Sequence, residues 1–438
     1  MFKTLRNALQ IEEIRKKLLY TLLILVIVRF GSLLPLPGVN SAYLAQFVAS
    51  MEGTAFNFFD ALTGGSFSSM SLFALGISPY ITASIIMQLL TIAIPKLEEM
   101  QKDGEEGRKK INKISRYVTI GLAMIQSSAM AISFGRQGLL TNYNFFSALI
   151  LVIGMTGGTA LLMWLGERIT EKGVGNGISI ILLINILSSL PNDLRTLYNK
   201  FVAGEPIPVA LIAIIIILVV LLVLIVFVIY LQDGERNVPV QYSQKVQGRK
   251  LVGGSSSGIP IKVNTAGVIP VIFASSLMSF PVVIANFFTV NDGSVGSEIL
   301  KGLTSSNWAN PKEPIYSIGL IIYLGLIILF AYFYTSITFN PIEVAGNLKK
   351  QGGFIPGIRP GKPTSEFLTR ILNYIVFLGA VGLIIVALIP ILVSGFFGIG
   401  SLSLLGTSLI IIVGVILETI KAVESMMTVR YYKGFLNN

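Results

Sequence analysis

Long apolar runs separated by short polar segments dominate this chain. Runs of about 20 apolar residues cross the hydrocarbon core of a bilayer as helices, whereas a membrane barrel would show short alternating strands. The sequence therefore predicts an all-α integral membrane protein with ten transmembrane helices. The ten runs lie near residues 18–34, 71–94, 117–135, 147–165, 176–190, 208–231, 264–288, 316–338, 370–394 and 402–420.

The basic residues indicate how these helices are oriented. Of the 33 Lys and Arg residues, 27 lie in alternate segments that share one side, five lie on the other side, and Arg29 lies inside a run, where it is expected to snorkel. Basic residues collect on the cytoplasmic side of membrane proteins, so we expect both termini in the cytoplasm. The net charge of +11 then reflects topology and not nucleic-acid binding. No small-residue cleavage pattern follows 18–34, so this run is expected to be retained as the first span.

Composition excludes several kinds of chemistry. Only 13% of the residues are charged, against about a quarter in a soluble domain. The chain has no Cys and no His, which excludes disulfides, thiolate chemistry and His-based catalysis or metal binding. Residues 361–364 carry Pro where a phosphate-binding loop needs Ser or Thr, and the glycines of 173–177 follow a span and not a strand. We expect no enzyme activity, no cofactor and no metal, so an external motor or a gradient must supply any work.

Ten spans divide into two halves of five. Because five is odd, the second half is expected to be inverted relative to the first, and inverted repeats enclose a central path. This organisation favours a channel or a transporter. The expected units are a cytoplasmic N-terminal segment at 1–17, an N-terminal half at 18–190, an external linker at 191–207, a C-terminal half at 208–420 and a cytoplasmic tail at 421–438.

The segment between the first two spans, 56–70, is too short to cross the membrane. Two interpretations are open: a re-entrant half-helix that simply packs, or a movable plug near 56–66 that is hinged at its glycines and closes the central path. In the second interpretation aromatic residues anchor the plug and small residues let it leave. The plug residues are then Phe56, Phe58, Phe59, Asp60, Gly64, Gly65 and Ser66.

Two cytoplasmic loops, 232–263 and 339–370, are longer than topology requires. Only a few charges near the span ends are needed to orient a chain. The first loop alternates apolar and polar residues around 238–246 and predicts a basic hairpin, whereas the second is rich in Pro and Gly. Ordered loops on a rigid scaffold commonly carry function, so we expect docking surfaces here, with merely solvated loops as the alternative.

The polar groups inside the spans are almost all neutral, which limits the cargo. A secondary transporter usually needs a charged site near the midplane, yet the only carboxylate in a span is Glu418, near one end. An intramembrane enzyme needs a nucleophile with a base, and neither Ser275 nor Ser276 has a visible one. A path lined by aliphatic side chains favours a hydrophobic constriction that blocks ions by dewetting. Both alternatives stay open.

Five stretches carry a resemblance to a known family. Residues 72–90, 163–180, 237–244, 262–276 and 352–364 resemble the SecY family of bacterial protein-conducting channels, in matched order and spacing along essentially the whole chain. The resemblance implies a clamshell of two inverted-repeat halves with a short re-entrant plug helix. It also implies that unfolded secretory polypeptides cross the cytoplasmic membrane through it, and that transmembrane helices leave sideways between spans 2 and 7.

The resemblance also assigns residues. It implies a pore ring of aliphatic side chains, in which Leu182 replaces the isoleucine typical of the family: Ile77, Ile81, Leu182, Ile186, Ile272 and Ile411. It implies a lateral gate of neutral polar side chains: Thr82, Gln88, Asn185, Asn264, Ser275 and Ser276. It implies that a motor or ribosome docks on three basic residues: Arg249, Lys250 and Arg359.

The partners implied by the resemblance are the SecE and SecG subunits, the SecA motor ATPase, the ribosome, signal peptides, nascent or unfolded polypeptides, and membrane lipid.

Overall fold

A computed structural model describes most of the chain as helix. It covers residues 6, 8–40, 43–44, 60, 62–242, 245–247, 250–252, 256–285, 295–304, 307–309, 313–397 and 407–436. In chain order the helices are α1 Glu12–Leu33, α2 Ser78–Ala93, α3 Pro95–Lys102, α4 Glu105–Phe134, α5 Phe145–Lys172, α6 Gly177–Phe201, α7 Ile207–Asp233, α8 Ile269–Ala285, α9 Val295–Leu303, α10 Ser317–Thr338, α11 Pro341–Lys350, α12 Lys362–Phe397 and α13 Thr407–Leu436.

A helix overlaps each of the ten apolar runs. Among the described residues, five helical stretches are long and apolar enough on their own to cross a membrane, or six if a bent pair counts as one span. The five are Phe145–Lys172, Gly177–Phe201, Ile207–Asp233, Pro314–Lys350 and Lys362–Val393, and the bent pair is Ser78–Ala93 with Pro95–Gln101. The chain is therefore a multi-pass helical membrane protein, and the total of ten spans stays a prediction.

Helix α7 shows why lipid is the solvent for these elements. Its first turn follows Pro206, and its sequence is apolar on every side. Only Leu224, Val228 and Leu231, which share one face, are buried, whereas side chains such as Ile207 are exposed. An all-round apolar surface of this kind is stable only where lipid covers it.

Two of the predicted spans differ from the structure in their bounds. The second run begins as turns, and its helix starts only at Ser78, because Gly76 adopts a positive φ of 56° and Pro79 sets the first turn. The chain then bends by 106° at the break between α2 and α3. In contrast, the fifth run continues as helix to Phe201, so much of the expected linker 191–207 is helical. Pro191 lies inside this helix without ending it.

The N-terminal half has two adjoining apolar cores. One joins α4 and α5 to the stretch 67–75, with Leu75, Leu139 and Leu151 fully buried. The other joins α1, α2, α5 and α6 to α13 of the C-terminal half. The second core therefore links the two halves of the molecule.

The C-terminal half is built around α7, α8, α10, α12 and α13, whose apolar side chains form one cluster. At one end of this half, a three-stranded sheet has the order β4-β1-β5. Its strands are β1 Glu235–Tyr242, β4 Ser256–Lys262 and β5 Gly353–Phe354, and a second hairpin pairs β2 Lys245–Gln247 with β3 Lys250–Val252. The predicted hairpin in 232–263 is confirmed, with Val238 opposite Ile259 in antiparallel register.

The two long loops pack against each other through β1, β4, β5 and α11, and we call the two stretches 235–262 and 341–372 together the loop platform. Val238 and Val240 point inward on alternate positions of β1. They pack with Ile261, Leu348 and Leu368 in one apolar cluster that continues into α10 and α12. The second loop is therefore ordered against the first and is not merely solvated.

Candidate functional site

Helix α6 sets the geometry at the centre of the molecule. Asn176 caps its N-terminus, because the Asn176 side chain accepts hydrogen bonds from the N–H groups of Ile178 (3.2 Å) and Ser179 (3.5 Å). With 3.6 residues per turn, Leu182, Asn185 and Ile186 share one face, and all three are buried. One face of α6 therefore presents two aliphatic side chains and one amide to the interior.

Five of the six residues expected in the pore ring lie in one apolar cluster. Ile77, Ile81 and Ile186 come from the N-terminal half, and Ile272 and Ile411 come from the C-terminal half. Ile186 is fully buried, and Ile77 and Ile411 are nearly so. Leu182, the sixth, is buried on the same helix as Ile186. Aliphatic side chains from both halves thus meet at one place.

The plug segment is defined as 56–66, and its described residues, 60 and 62–66, lie beside this cluster. The Nδ2 atom of Asn185 donates a hydrogen bond to the carbonyl of Leu62 at 3.3 Å. The carbonyl of Gly64 accepts from Arg29 at 3.1 Å and from the Ser188 hydroxyl at 3.3 Å. Helices α1 and α6 therefore hold the backbone of this segment through hydrogen bonds, and the Leu62 side chain packs against the central cluster.

The described part of the plug segment is a tight turn. Asp60 Oδ1 accepts from the N–H of Ser68 at 2.8 Å, and the N–H of Gly65 donates to the Asp60 carbonyl at 3.0 Å. Burial raises the pKa of the Asp60 carboxyl, and hydrogen bonds from Ser68 and Phe67 offset part of this rise. Gly64 and Gly65 have positive φ of 68° and 81°, where glycine is favoured. The predicted plug residues Phe56, Phe58 and Phe59 lie outside the described residues.

Two polar oxygens remain unsatisfied at this place. Among the described residues, Ser66 Oγ and Asn185 Oδ1 are buried and have no hydrogen-bond partner. Buried polar atoms without partners cost free energy, so the packing of the plug segment is incompletely satisfied.

Within the described part of the chain, no hydrogen bond joins any two of the six expected gate residues. Asn185 bonds the plug segment, and Ser275 donates to the Val271 carbonyl at 2.8 Å and lies 3.3 Å from the Tyr323 hydroxyl. Tyr323 belongs to α10, so both side chains form their hydrogen bonds within their own halves.

The other four expected gate residues divide between the two halves. Thr82 donates to its own helix at Ser78, and Gln88 is half-buried farther along α2. Asn264 is buried at the turn before α8, where its Nδ2 lacks a hydrogen-bond partner among the described residues. Ser276 is exposed on α8.

Two of the three expected docking residues, Lys250 and Arg359, lie on the loop platform. Arg359 is exposed, and its carbonyl accepts from the Thr364 hydroxyl at 2.8 Å, which fixes the loop that presents it. Lys250 begins strand β3. Arg249 lies outside the described residues.

Sequence reasoning missed two residues of the plug contact, Arg29 and Ser188. Arg29 was expected to snorkel, but it donates to Gly64 because the plug segment brings a carbonyl within reach. The available signal was a charge inside an apolar run, which in membranes commonly marks a functional contact. Ser188 carried no signal, since hydroxyls commonly bond their own helix, as this one also does at the Asn185 carbonyl (2.6 Å).

Comparisons with known proteins agree with this geometry. The SecY family model matches residues 71–420. A protein translocase subunit SecY from Halalkalibacterium halodurans is 43% identical over 442 residues, covering 100% of both chains, and one from Staphylococcus aureus is 41% identical over 441 residues, covering 99% of both. Two solved structures have the same fold: a protein conducting channel (TM-score 0.62, 18% identity, 94% of this chain and 92% of that one) and Sec61 in a canine ribosome-channel complex (TM-score 0.62, 17% identity, 94% and 92%). The chain belongs to the SecY family.

Proposed function

We propose that this chain is the channel subunit that passes unfolded secretory polypeptides across the bacterial cytoplasmic membrane and releases transmembrane helices sideways into lipid. The observation that carries the proposal is the meeting of isoleucines from both halves beside the plug segment. A ring of aliphatic side chains excludes ions by dewetting when empty and tolerates polypeptide side chains of many kinds when occupied. The family membership supports the same activity.

The pore ring is proposed at Ile77, Ile81, Leu182, Ile186, Ile272 and Ile411, with the plug segment closing it. Helices α2 and α8 are proposed as the two sides of the lateral gate. Their N-terminal ends meet in the central cluster through Ile77, Ile81 and Ile272. Thr82, Gln88 and Ser276 lie farther along the same helices, where neutral polar groups form weak contacts that an apolar signal helix can replace.

The loop platform is proposed as the docking surface for SecA and the ribosome, with Arg249, Lys250 and Arg359 as its basic contacts. Its own apolar core supports this role, because a rigid surface loses little entropy on binding. Phosphate groups of ribosomal RNA would be attracted to these residues in a salt-dependent manner. Both termini are proposed to lie on this cytoplasmic side, with SecE and SecG as the companion subunits.

Transport by purified components tests the proposal. Vesicles containing this chain with SecE and SecG receive SecA, ATP and a secretory precursor, and protection of the precursor from added protease is measured. We expect protection that needs ATP, SecA and an intact signal peptide. Protection in vesicles that lack this chain, or its absence from complete vesicles with correctly inserted complex, would contradict the proposal.

A second assay addresses the two alternative functions. Vesicles with the same complex are tested for uptake of small ions and solutes under a proton gradient, and for cleavage of membrane peptides. We expect neither activity in the resting complex. Coupled solute uptake would favour a secondary transporter, and peptide cleavage would favour an intramembrane enzyme.

A further inference from the structure

We propose that Arg29, Asn185 and Ser188 form a latch that holds the plug segment in its packed position, with Arg29 as the principal positioning residue. The inference rests on the proposed function, because it takes the plug segment to leave its place when a polypeptide enters. Its subject is how the resting state is held and released.

The latch acts on two neighbouring backbone carbonyls. The Leu62 carbonyl accepts from Asn185, and the Gly64 carbonyl accepts from both Arg29 and Ser188. The donors come from two helices, α1 and α6, so the turn is gripped from two elements. Because the acceptors are backbone carbonyls, these three hydrogen bonds do not depend on the side chains of the plug segment.

Arg29 is the strongest of the three donors. Within the part of the chain that the structure describes, no carboxylate forms an ion pair with it, and its hydrogen bond goes to Gly64. Hydrogen bonds from ionised donors are stronger than those between neutral groups. A guanidinium inside an apolar helix also needs a polar partner, since hydrocarbon solvates charge poorly. When the plug segment leaves, the Arg29 guanidinium loses the Gly64 carbonyl and must find water instead. This cost opposes release of the plug segment.

Gly64 is the residue that permits this close approach. A Cβ atom added at Gly64 would lie 2.7 Å from the guanidinium of Arg29, 2.8 Å from Ser188 Oγ and 2.9 Å from Asn185 Cα. Gly65 has a similar positive φ, but a Cβ added there would meet only Ser68 Oγ, at 4.0 Å. Alanine at either glycine strains the backbone, but only alanine at Gly64 also pushes the hydrogen-bond donors away. Comparing the two variants therefore separates these two costs.

Part of the cost of releasing the latch is offset by two buried oxygens that have no hydrogen-bond partner in the packed state. The buried oxygens Ser66 Oγ and Asn185 Oδ1, which lack partners in the packed state, gain water when the segment leaves. Three hydrogen bonds therefore favour the packed state, and two buried oxygens without partners favour the released state. The latch holds the resting state and still allows an entering polypeptide to displace the segment.

A cysteine at position 66 reports on the latch directly. The chain has no Cys, so a single introduced thiol reacts alone. Ser66 is fully buried and its hydroxyl makes no hydrogen bond within the described structure, so Ser66→Cys removes no hydrogen bond of that side chain. In membranes containing the full complex, the rate of labelling by a membrane-impermeant maleimide added from outside measures how often the plug segment leaves.

Arg29→Gln is expected to raise this rate at least tenfold and Ser188→Ala about threefold. Arg195→Gln removes an exposed charge near the far end of α6 and is the matched control, for which no change is expected. Arg29→Lys, which keeps the charge with fewer donors, should fall between the parent and Arg29→Gln. Labelling of Arg29→Gln at the parent rate would overturn the proposal.

The two glycines give an independent test if Arg29→Gln fails to accumulate. Gly64→Ala should label several times faster than Gly65→Ala, because both variants strain the backbone but only the first displaces the donors. Equal rates would overturn the latch.

If precursor transport is normal and labelling does not respond, only the latch fails. If labelling responds but no precursor is transported, the latch stands and the proposed function fails.

Discussion

The plug segment and the loop platform are both non-spanning insertions, but they are held in different ways. The plug segment is small and Gly-rich, and three hydrogen bonds from neighbouring helices grip its backbone. The platform has its own apolar core, with Val238, Val240 and Leu368 buried, and a three-stranded sheet. The plug segment is held by these hydrogen bonds and by the packing of Leu62 against the central cluster, whereas the platform has an apolar core of its own.

The difference follows from what each insertion does in the proposed mechanism. The free energy that apolar burial contributes to a packed element grows with the apolar area removed from water. Exposure of that area to water loses this free energy, because water cannot take the place of the apolar neighbours. A hydrogen bond to a backbone carbonyl is worth about 0.5–1.5 kcal/mol net, and water or an extended polypeptide can replace it. A docking surface benefits from the first kind of attachment, and a moving plug benefits from the second.

The largest expected effect removes part of the platform core. Leu368→Ala deletes a fully buried side chain, and such changes cost about 2–5 kcal/mol. We expect faster proteolysis within 235–262 and 341–372 and a lower unfolding temperature. Leu378→Ala, on the same helix but 63% exposed, is the control and should change little. Equal sensitivity of the two variants would show that the platform core is not what orders these loops.

A polar change at the central cluster should have the next largest effect. Ile411 is 3% exposed, and Ile411→Asn buries an amide that costs about 1–3 kcal/mol without a partner. Water then enters more readily, so ion conductance without substrate should rise, and precursors with weak signal peptides should pass more often. Ile416→Asn, at a 39% exposed site on the same helix, should leave both unchanged. Unaltered conductance in Ile411→Asn would remove Ile411 from the pore ring.

A charge reversal on the platform should affect transport but not the fold. Arg359→Glu changes an exposed side chain, so we expect normal assembly and about a tenfold lower rate of SecA-driven transport, equivalent to about 1.4 kcal/mol. Lys362→Glu is the control, because that lysine is also exposed, at the first residue of α12, and its 3.9 Å ion pair with Glu366 lies on the surface. If both reversals slow transport equally, general electrostatics and not Arg359 explains docking.

The smallest expected effect is a pH dependence of the plug segment. Burial raises the pKa of Asp60, so the packed segment holds a proton more tightly than a released one, and packing is favoured as pH falls through the raised pKa toward the ordinary value of about 4. Conductance without substrate should therefore fall modestly as the pH is lowered from neutral toward that ordinary value. Asp60→Asn should remove this dependence. A rise in conductance on acidification of the parent would contradict the assignment.

Much of the fold could be predicted from the sequence, because hydrocarbon leaves the backbone few choices. A helix overlaps each apolar run, and the alternation around Val238 identified the hairpin. The errors lie where local turn chemistry competes with hydropathy. Gly76 and Pro79 delay the start of the helix in the second run, whereas Pro191 does not end α6, the helix of the fifth run.

The site was less predictable, because it depends on contacts between distant parts of the chain. Spacing places Ile77 and Ile81 on one helix face, but only tertiary packing brings Ile272 and Ile411 to them. Nothing in the sequence indicated that Ser275 would lie within hydrogen-bond distance of Tyr323, 48 residues away. Periodicity shows which side of a helix is polar but not which neighbour that side meets.

A crosslink between a transported chain and the central cluster tests the account most directly. A photoreactive residue replaces Ile272, and a second variant carries it at Leu378, which is exposed on α12. A precursor is then arrested midway through SecA-driven transport and the sample is illuminated. We predict an adduct at position 272 that needs ATP and an intact signal peptide, and none at 378. Arrested precursor that crosses the membrane without ever crosslinking to position 272 would contradict the proposed path.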